Sequence, residues 1–185
     1  RNQRLINDHT LDWYPQFLSE GHRVLKNNCH CYVFCDWRSY SQMYQMVLQS
    51  KFNLGGVIVW NKGRQSSGDL QSGLGFSHEW IMFLTKGRRR WPSTRPLDVV
   101  YYPIVKGEYR DHPTQKPIPL LRFLIELSTE ANELVLDPYA GSFSTARACK
   151  SRDTQTGDFE PRDYLCMEID PQYEKFIKRP EGMML

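Results

Sequence analysis

The sequence predicts an α/β fold with a mostly parallel sheet, and three stretches of the chain support this. Residues 134–137 form a short apolar run that ends in Asp137, as a buried parallel strand does at the edge of its sheet. A turn of small residues and a helix follow at 138–150, and residues 163–170 read as a second strand that ends in acids. A strand, a small-residue turn and a helix N-terminus form a ligand cradle at the carboxyl edge of a parallel sheet.

Length and composition agree with one α/β domain. The chain has 185 residues, 40% of them hydrophobic, which is enough for a sizeable core. The net charge of +3 is too small to indicate nucleic acid by itself. Five cysteines without paired spacing indicate a reducing compartment, and we find neither a membrane-span pattern nor a signal-peptide pattern. We therefore expect a soluble intracellular protein without membrane contact.

Two amphipathic helices are predicted in the N-terminal half. Residues 11–26 place apolar side chains on one face, and we expect Gly21 to interrupt this helix before its end. Residues 39–52 carry tyrosine, methionine, valine and leucine at helical spacing. We interpret both apolar faces as core.

Between these helices, residues 29–36 alternate as a strand does. Cys29 and Cys31 share one face, whereas His30 points to the other. A zinc site from these three residues fails on that geometry, and no second pair of ligands follows at the usual spacing. The pattern predicts structural packing here and no metal site.

Two further strands, at 57–60 and 78–87, are expected to pair as an antiparallel hairpin. Gly55–Gly56 read as the end of the connection before the first of them. The connection at 62–77 is rich in Gly, Ser and Gln, so we expect a mobile loop. Residues 99–102 read as a short strand or an extended crossing.

Positive charge is concentrated between residues 61 and 95. Seven lysines and arginines there oppose two acids, a net charge of +5 against +3 for the whole chain. A solvated loop is the alternative, but three adjacent arginines beside a tryptophan suit a nucleic-acid backbone. The predicted contact residues are Lys62, Arg64, Arg88, Arg89, Arg90 and Trp91.

The turn after Asp137 limits the ligands that the cradle could hold. It has one glycine and no lysine, so it matches neither a phosphate loop nor a dinucleotide fingerprint. Asp137 would repel a pyrophosphate but could attract an ammonium group or accept from hydroxyls. Glu168, at the end of the neighbouring strand, is placed to accept from both hydroxyls of a ribose. From this pair alone, simple capping of two strand ends is an equally good interpretation.

A third element favours the ligand site. The segment His112–Pro117, which reads HPTQKP, precedes an apolar helix at 118–127 that leads back to the strand at 134. This segment, the turn Asp137–Phe143 and Glu168 resemble motifs X, I and II of the amino-methyltransferases of DNA that use S-adenosyl-L-methionine. Their order along the chain resembles the permuted β class of that family, and the resemblance covers almost the whole chain.

The resemblance implies a Rossmann-like methyltransferase fold in which an antiparallel hairpin lies at one edge of a mostly parallel sheet. It implies a single domain over residues 1–185, with a small target-recognition insertion around 61–111. Double-stranded DNA would be the partner and S-adenosyl-L-methionine the cofactor, in the cytoplasm of a bacterial or phage-infected cell. A homodimer or a partner subunit is also compatible. Phe143 replaces the family's usual second glycine, so we expect a turn that is tighter against the cofactor.

The resemblance also assigns cofactor-binding residues. The residues around the methionine moiety would be Asp137, Tyr139, Gly141, Ser142, Ser144 and Thr145. Those closing over its carboxylate end would be Thr114, Gln115, Lys116 and Pro117. Lys116 would supply the positive charge, with plain solvation at a helix entry as the alternative. Glu168 would bind the ribose.

The catalytic motif of the family does not occur in these 185 residues. Motif IV is a polar residue followed by Pro-Pro and an aromatic residue, and it binds the amine of a base flipped out of the duplex. The sequence contains no Pro-Pro pair. We expect the motif in an N-terminal part upstream of residue 1 rather than its loss, because a sheet without a central strand would expose backbone groups. We therefore name no catalytic residue.

Three functions are compatible with the sequence. The first is a DNA amino-methyltransferase, with adenine N6 favoured over cytosine N4, in a restriction-modification, phage or orphan modification system. The second is a catalytically silent subunit that binds cofactor or DNA for an active partner. The third is a methyltransferase of the same fold that acts on RNA or protein.

Overall fold

A computed structural model of the protein describes residues 10–63, 71–92, 94–106, 109, 111–112, 114–150 and 160–177. The chain divides into two compact units, Arg1–Ile104 and Val105–Leu185. The prediction of one domain with an insertion around 61–111 stays a prediction. No helix in the described part of the chain has the length and hydrophobicity of a membrane span.

The first unit is a four-stranded sheet with two helices. Its elements are α1 (Tyr14–Val24), β1 (Cys29–Cys35), α2 (Trp37–Leu48), β2 (Asn53–Asn61), β3 (His78–Lys86) and β4 (Val99–Tyr101). The strand order is β1-β3-β2-β4. The predicted antiparallel pairing of β2 with β3 is confirmed, and residues 99–101 of the predicted 99–102 segment form a strand parallel to β2.

The α/β class is confirmed, but the expectation of a mostly parallel sheet is wrong for the first unit. Strand β3 lies between β1 and β2 and runs antiparallel to both. Because β1 and β2 share a direction, one strand inserted between them in the opposite sense makes two of the three pairings antiparallel. The hairpin is therefore central among the described strands of this sheet instead of lying at its edge.

Helices α1 and α2 pack on one face of this sheet and form its core with it. Alternation along β1 and β3 supplies one apolar row from each strand, and the helices supply the side chains that meet them. The buried residues of this core are Tyr14, Leu18, Val33, Cys35, Met43, Val47, Phe52, Met82 and Leu84.

Helix α1 continues through Gly21 to Val24, so the predicted interruption is wrong. A glycine in a helix costs about 1 kcal/mol relative to alanine, which packing of an amphipathic face readily offsets. The end of the helix is stabilised by Lys86, whose Nζ donates to the carbonyls of His22 at 2.7 Å and Leu25 at 2.6 Å.

Helix α2 begins at Trp37, two residues before its predicted start, because Asp36 caps it. The Asp36 carboxylate accepts from the backbone N–H groups of Arg38 at 3.0 Å and Ser39 at 2.9 Å. The Asp36 N–H donates in turn to Ser39 Oγ at 3.3 Å, which completes a capping box.

Strand β2 begins at Asn53 and includes Gly55 and Gly56, which the sequence placed in the preceding connection. A Cβ atom at Gly55 would lie 2.6 Å from Cδ1 of Phe83 on β3. The pairing of β2 with β3 shifts register between Leu54 and Gly56. Glycine is needed here because the neighbouring aromatic ring lies directly against the backbone.

The second unit contains the parallel strand pair that the sequence predicted. Its elements are α3 (Ile118–Ser128), β5 (Leu134–Asp137), α4 (Ser144–Lys150), β6 (Asp163–Cys166), a 3-10 turn (Pro171–Tyr173) and α5 (Glu174–Ile177). Strands β5 and β6 pair in parallel from Leu134 with Asp163 to Asp137 with Cys166. The predicted helix at 118–127 and the strand at 134–137 are confirmed.

The apolar run in β5 is less buried than predicted. Leu134 and Leu136 are 59% and 41% exposed, whereas Val135 between them is half-buried. Successive residues of a strand point to opposite faces, so Leu134 and Leu136 share one face of the pair. That face is exposed in the described part of the chain.

Candidate functional site

The site is built around Asp137 at the end of β5. Its Oδ1 accepts from the Tyr139 N–H at 3.0 Å, and its Oδ2 accepts from the Thr145 hydroxyl at 2.5 Å. Burial raises the pKa of the Asp137 carboxyl, which these hydrogen bonds oppose and the charge of Glu168 reinforces. Asp137 thus holds both ends of the turn and keeps a carboxylate at the sheet edge.

The turn between β5 and α4 uses two left-handed residues. Gly141 has φ +52° and Phe143 has φ +58°. A residue with a side chain pays roughly 1–2 kcal/mol for this backbone conformation, whereas glycine does not. Phe143 therefore carries strain at the position where the resemblance expects glycine, and its predicted closeness to the cofactor stays a prediction.

Glu168 lies directly beside the turn, two residues past the end of β6. Its Oε2 accepts from the Gly141 N–H at 2.7 Å, and its Oε1 accepts from the Asp170 N–H at 2.8 Å. Backbone bonds extend the strand pairing to this point, from the Met167 N–H to the Asp137 carbonyl and from the Ala140 N–H to the Met167 carbonyl, both at 2.8 Å. The two acids that the sequence singled out are therefore neighbours at one sheet edge.

The ring of His112 covers Gly141. A Cβ atom at Gly141 would lie 3.2 Å from Cδ2 of that ring. The ring of His112 also lies 4.6 Å from that of Tyr173 between centroids, and its Nδ1 accepts from the Thr114 N–H at 3.2 Å. His112 thus brings its segment onto the turn.

Charges from both parts of the site act on the His112 imidazole. Burial lowers its pKa; Glu168 and Asp170 raise it, and Lys116 lowers it further. The pKa of His112 therefore depends on charges from both segments. The contact of its ring with Gly141 brings His112 and the acidic sheet edge together within the second unit.

The remaining predicted cofactor residues take varied positions in this unit. Ser142 and Ser144 are buried with their Oγ atoms 3.2 Å apart. Tyr139 is 59% exposed. Gln115 donates its N–H to the His112 carbonyl at 3.1 Å, and Pro117 is the N-cap residue of α3. The Thr145 hydroxyl donates to Asp137 Oδ2 at 2.5 Å, and Ser144 Oγ accepts from Arg147 Nη2 at 3.2 Å.

Three residues of this site escaped the sequence-based assignment of binding residues: Asp111, His112 and Arg147. His112 stands in the quoted HPTQKP segment but received no role. Arg147 Nη1 lies 3.4 Å from Asp111 Oδ2, and Arg147 Nη2 donates to the Ser142 carbonyl at 3.2 Å. The available signal was an arginine within a helix start otherwise made of small residues.

The site can hold a ligand that carries a cationic group and neighbouring hydroxyls. Two carboxylates at one edge attract an ammonium group and accept from hydroxyl groups, whereas they repel a phosphate. A lysine ammonium such as that of Lys116 can pair with a carboxylate. The absence of a side chain at Gly141 lets the His112 ring approach the turn, since a Cβ atom would lie 3.2 Å from its Cδ2.

The predicted nucleic-acid residues of the first unit are partly engaged in internal contacts. Lys62 Nζ lies 3.4 Å from Glu79 Oε1, with side chains 15% and 28% exposed. The Arg88 N–H donates to Asn28 Oδ1 at 2.9 Å. Arg88 and Arg90 are exposed, and Arg89 is half-buried. Arg64 lies outside the described residues.

Trp91 belongs to an aromatic cluster with His30, Tyr32 and Phe83. Its ring centroid lies 5.0 Å from that of His30 and 5.4 Å from that of Phe83. Burial, helped by the charge of Arg89, lowers the pKa of His30 to about 4. Trp91 is thus an anchor that attaches the end of the arginine run to the sheet.

The cysteines near His30 show the properties of core residues. Burial raises the pKa of the Cys31 thiol to about 12, which disfavours the thiolate that a metal would need. Within the described ranges, no group of three or more metal-ligand side chains occurs.

Comparison with known proteins identifies one family. The family model N6_N4_Mtase, described as DNA methylase, matches residues 2–103 and 91–179. YubD of Escherichia coli (strain K12), which is named as a methylase, is 32% identical over 95% of this chain and 71% of its own length. The DNA adenine methyltransferase YhdJ of the same strain is 28% identical over 89% of this chain and 64% of its own length.

A solved structure shares the fold. The crystal structure of the M1.HpyAVI-SAM complex superposes with a TM-score of 0.70 at 20% sequence identity, over 89% of this chain and 80% of that chain. The chain therefore spans about two thirds of the length of the two relatives and four fifths of this structure.

Proposed function

Because the chain belongs to the DNA methylase family with N6 or N4 specificity, we propose that it is an S-adenosyl-L-methionine-dependent DNA amino-methyltransferase. The observation that carries this is the hydrogen bond from the Gly141 N–H to Glu168, beside Asp137 and beneath His112. This bond joins the turn to Glu168, and the His112 ring lies against Gly141, so residues of the three segments that the sequence singled out meet at one acidic sheet edge. We assign adenine N6 as the target, in line with the adenine activity in the name of YhdJ.

The residues at this sheet edge fit S-adenosyl-L-methionine by their chemistry. Asp137 and the turn through Thr145 would receive the ammonium end of the methionine moiety, and Lys116 its carboxylate. Glu168, which keeps lone pairs beyond its two backbone bonds, would accept from the ribose hydroxyls. The residues that we propose to surround the methionine moiety and to close over its carboxylate end are Thr114, Gln115, Lys116, Pro117, Asp137, Tyr139, Gly141, Ser142, Ser144 and Thr145.

The sulfonium of the bound cofactor supplies the methyl group. The protein's part is to align the amine with that group and to exclude water from both. The hydrogen bonds at Asp137 and Glu168 attach the turn to the ends of both strands. Fixing the shape of a binding surface in this way lowers the entropic cost of alignment.

A catalytically silent binding subunit is the second candidate, because the contacts of Asp137, Glu168 and His112 concern the binding of a cofactor and not the chemical step. Such a subunit would bind the cofactor or DNA for an active partner. A methyltransferase of the same fold that acts on RNA would share the cofactor site and differ in the acceptor.

Tritiated S-adenosyl-L-methionine with unmethylated duplex DNA tests the proposal. The full protein that contains these residues should transfer label to the duplex, and digestion to nucleosides should place it in N6-methyladenine. Label in N4-methylcytosine would correct the base. Cofactor binding without transfer would favour the silent subunit, and transfer to RNA alone would overturn DNA as the substrate. The biological setting would be a restriction-modification or orphan modification system in the cytoplasm of a bacterial or phage-infected cell.

We further propose that Lys62, Arg64 and the Arg88–Trp91 segment face DNA phosphates. Replacing Arg88 or Arg90 by alanine should weaken duplex binding at low salt. Each substitution should reduce the slope of log affinity against log salt by about 0.9, as expected for one lost phosphate contact. Fluorescence anisotropy at several salt concentrations measures this slope.

The exposed Arg23 on α1 provides a control of equal charge. Its replacement by alanine should leave the salt slope unchanged, because it lies outside the proposed surface. Equal slopes for Arg23→Ala, Arg88→Ala and Arg90→Ala would contradict the assignment. Cofactor affinity should stay unchanged in all three variants.

A further inference from the structure

Arg147 in α4 connects the two segments that line the cofactor site. Its Nη2 donates to the Ser142 carbonyl and to Ser144 Oγ, both at 3.2 Å. Its Nη1 donates to Asp111 Oδ2 at 3.4 Å. One guanidinium group therefore contacts the turn after β5 on one side and the residue before HPTQKP on the other.

Asp111 is itself attached to the HPTQKP segment. Its backbone N–H donates to Gln115 Oε1 at 2.7 Å, and the Gln115 N–H donates to the His112 carbonyl at 3.1 Å. These two bonds connect Gln115 to both Asp111 and His112. A contact that fixes the position of Asp111 therefore also restrains Gln115, the residue before Lys116.

The turn side of the connection is equally well defined. Ser142 and Ser144 are buried, and their hydroxyl oxygens lie 3.2 Å apart. Ser142 follows Gly141, whose N–H is held by Glu168. The guanidinium group thus contacts the same turn that Glu168 contacts through Gly141.

The connection is better shielded from water than an ordinary surface ion pair. The Arg147 and Asp111 side chains are 23% and 26% exposed. The Arg23 and Glu20 pair on α1, with side chains 69% and 53% exposed, is a fair comparison within the chain. Shielded pairs with extra hydrogen bonds contribute more than exposed ones, and the planar guanidinium can serve three acceptors at once.

We propose that Arg147 is a positioning residue that holds the Asp111–Pro117 segment on the Gly141–Ser144 turn and so sets the affinity for S-adenosyl-L-methionine. The effect on cofactor affinity rests on the proposed function, whereas the hydrogen bonds of Arg147 do not depend on it. Arg147 acts through the segment that covers the cofactor and takes no part in methyl transfer.

The first test needs no ligand. Amide hydrogen exchange of the full protein should show that Arg147→Ala speeds exchange at Asp111 and Gln115 by about tenfold, as expected when an opening equilibrium shifts by one order of magnitude. The amides of β5 should be unchanged. Arg23→Ala should alter neither site, since it breaks an exposed pair elsewhere.

The second test measures the affinity for S-adenosyl-L-methionine by calorimetry. Arg147→Ala should weaken binding about tenfold, and Arg147→Lys should lie between it and the wild type, because a compact ammonium lacks the planar fork whose Nη1 and Nη2 reach acceptors in two segments. Asp111→Ala should add little when combined with Arg147→Ala, because both remove the same connection. In the methylation assay, KM for the cofactor should rise while kcat at saturation stays constant.

The outcomes separate this inference from the proposed function. Unchanged exchange at Asp111 and Gln115 in a folded Arg147→Ala protein would overturn it, as would faster exchange with unchanged affinity. The inference would also be overturned if the loss of affinity in the double variant equalled the product of the losses in Arg147→Ala and Asp111→Ala. A wild-type protein that binds no S-adenosyl-L-methionine would defeat the proposed function and the link to affinity, while the exchange data alone would still decide whether Arg147 holds the segment.

Discussion

Replacing Gly141 by alanine should weaken binding of S-adenosyl-L-methionine by at least about tenfold and destabilise the fold by roughly 1–2 kcal/mol. The backbone of Gly141 has φ +52°, and the added Cβ would lie 3.2 Å from Cδ2 of His112. Either the turn or the His112 ring must move, and both belong to the proposed site. Calorimetry measures the affinity, and denaturant unfolding measures the stability.

Gly21 in α1 provides the matched substitution. A Cβ there would lie 3.9 Å from Phe52, an ordinary contact, and the backbone is helical. Gly21→Ala should therefore raise the stability by about 0.5–1 kcal/mol and leave cofactor affinity unchanged. If Gly141→Ala binds S-adenosyl-L-methionine within twofold of the wild-type affinity, the cofactor does not bind at this turn.

Replacing Glu168 by glutamine should weaken cofactor binding by about 10- to 100-fold. The glutamate accepts from the Gly141 and Asp170 backbone N–H groups, and glutamine must turn an NH₂ group towards one of these donors, which disturbs the turn. The proposed hydrogen bonds from the ribose hydroxyls to the charged carboxylate are weakened as well, and bonds of this kind contribute roughly 1.5–3 kcal/mol, which sets the range. Calorimetry with S-adenosyl-L-methionine measures the loss. Glu20→Gln, on the exposed face of α1, is the control and should bind as the wild type does.

Glu168→Gln should also change the pKa values of two neighbouring groups, Asp137 and His112. The charge of Glu168 contributes to the raised pKa of Asp137 and raises the pKa of His112 against its burial. Glu168→Gln should therefore lower both pKa values, which NMR titration of the carboxyl and imidazole groups would detect. An unchanged Asp137 pKa would mean that the two carboxylates do not interact.

The raised pKa of Asp137 also has a definite effect on stability. The folded protein holds this proton more tightly than the unfolded chain does. The stability contributed by Asp137 is therefore present at low pH and lost as the pH rises through the folded-state pKa. In Glu168→Gln this loss should occur at lower pH, because the folded-state pKa is lower.

The sequence predicted most of the second unit because its signals are local. The β5 strand, the helix at 118–127 and the turn after Asp137 each follow from the residues within them, and all three are present. Glu168 was named from its place after a strand, and it lies beside the turn. Parallel strands end at one edge, so placing both acids there required only the pairing of β5 with β6.

The errors in the first unit have the opposite cause. Gly21 was expected to interrupt α1, and Gly55 was expected to precede β2, because glycine disfavours regular structure locally. Packing kept Gly21 helical, and the ring of Phe83 required Gly55 inside the strand. The order β1-β3-β2 was likewise beyond local patterns, because alternation predicts a strand but not the direction of its neighbour.

By itself, the sequence determined the α/β class, the acidic turn and the family resemblance of its three signature segments. Only the tertiary structure decided that β3 lies between β1 and β2, that His112 covers Gly141, and that Arg147 connects Asp111 to the turn. The physical reason is the separation along the sequence of the residues that interact. Turn conformation and helix periodicity arise from residues a few positions apart, whereas Arg147 and Asp111 are 36 positions apart and meet only once both segments have packed.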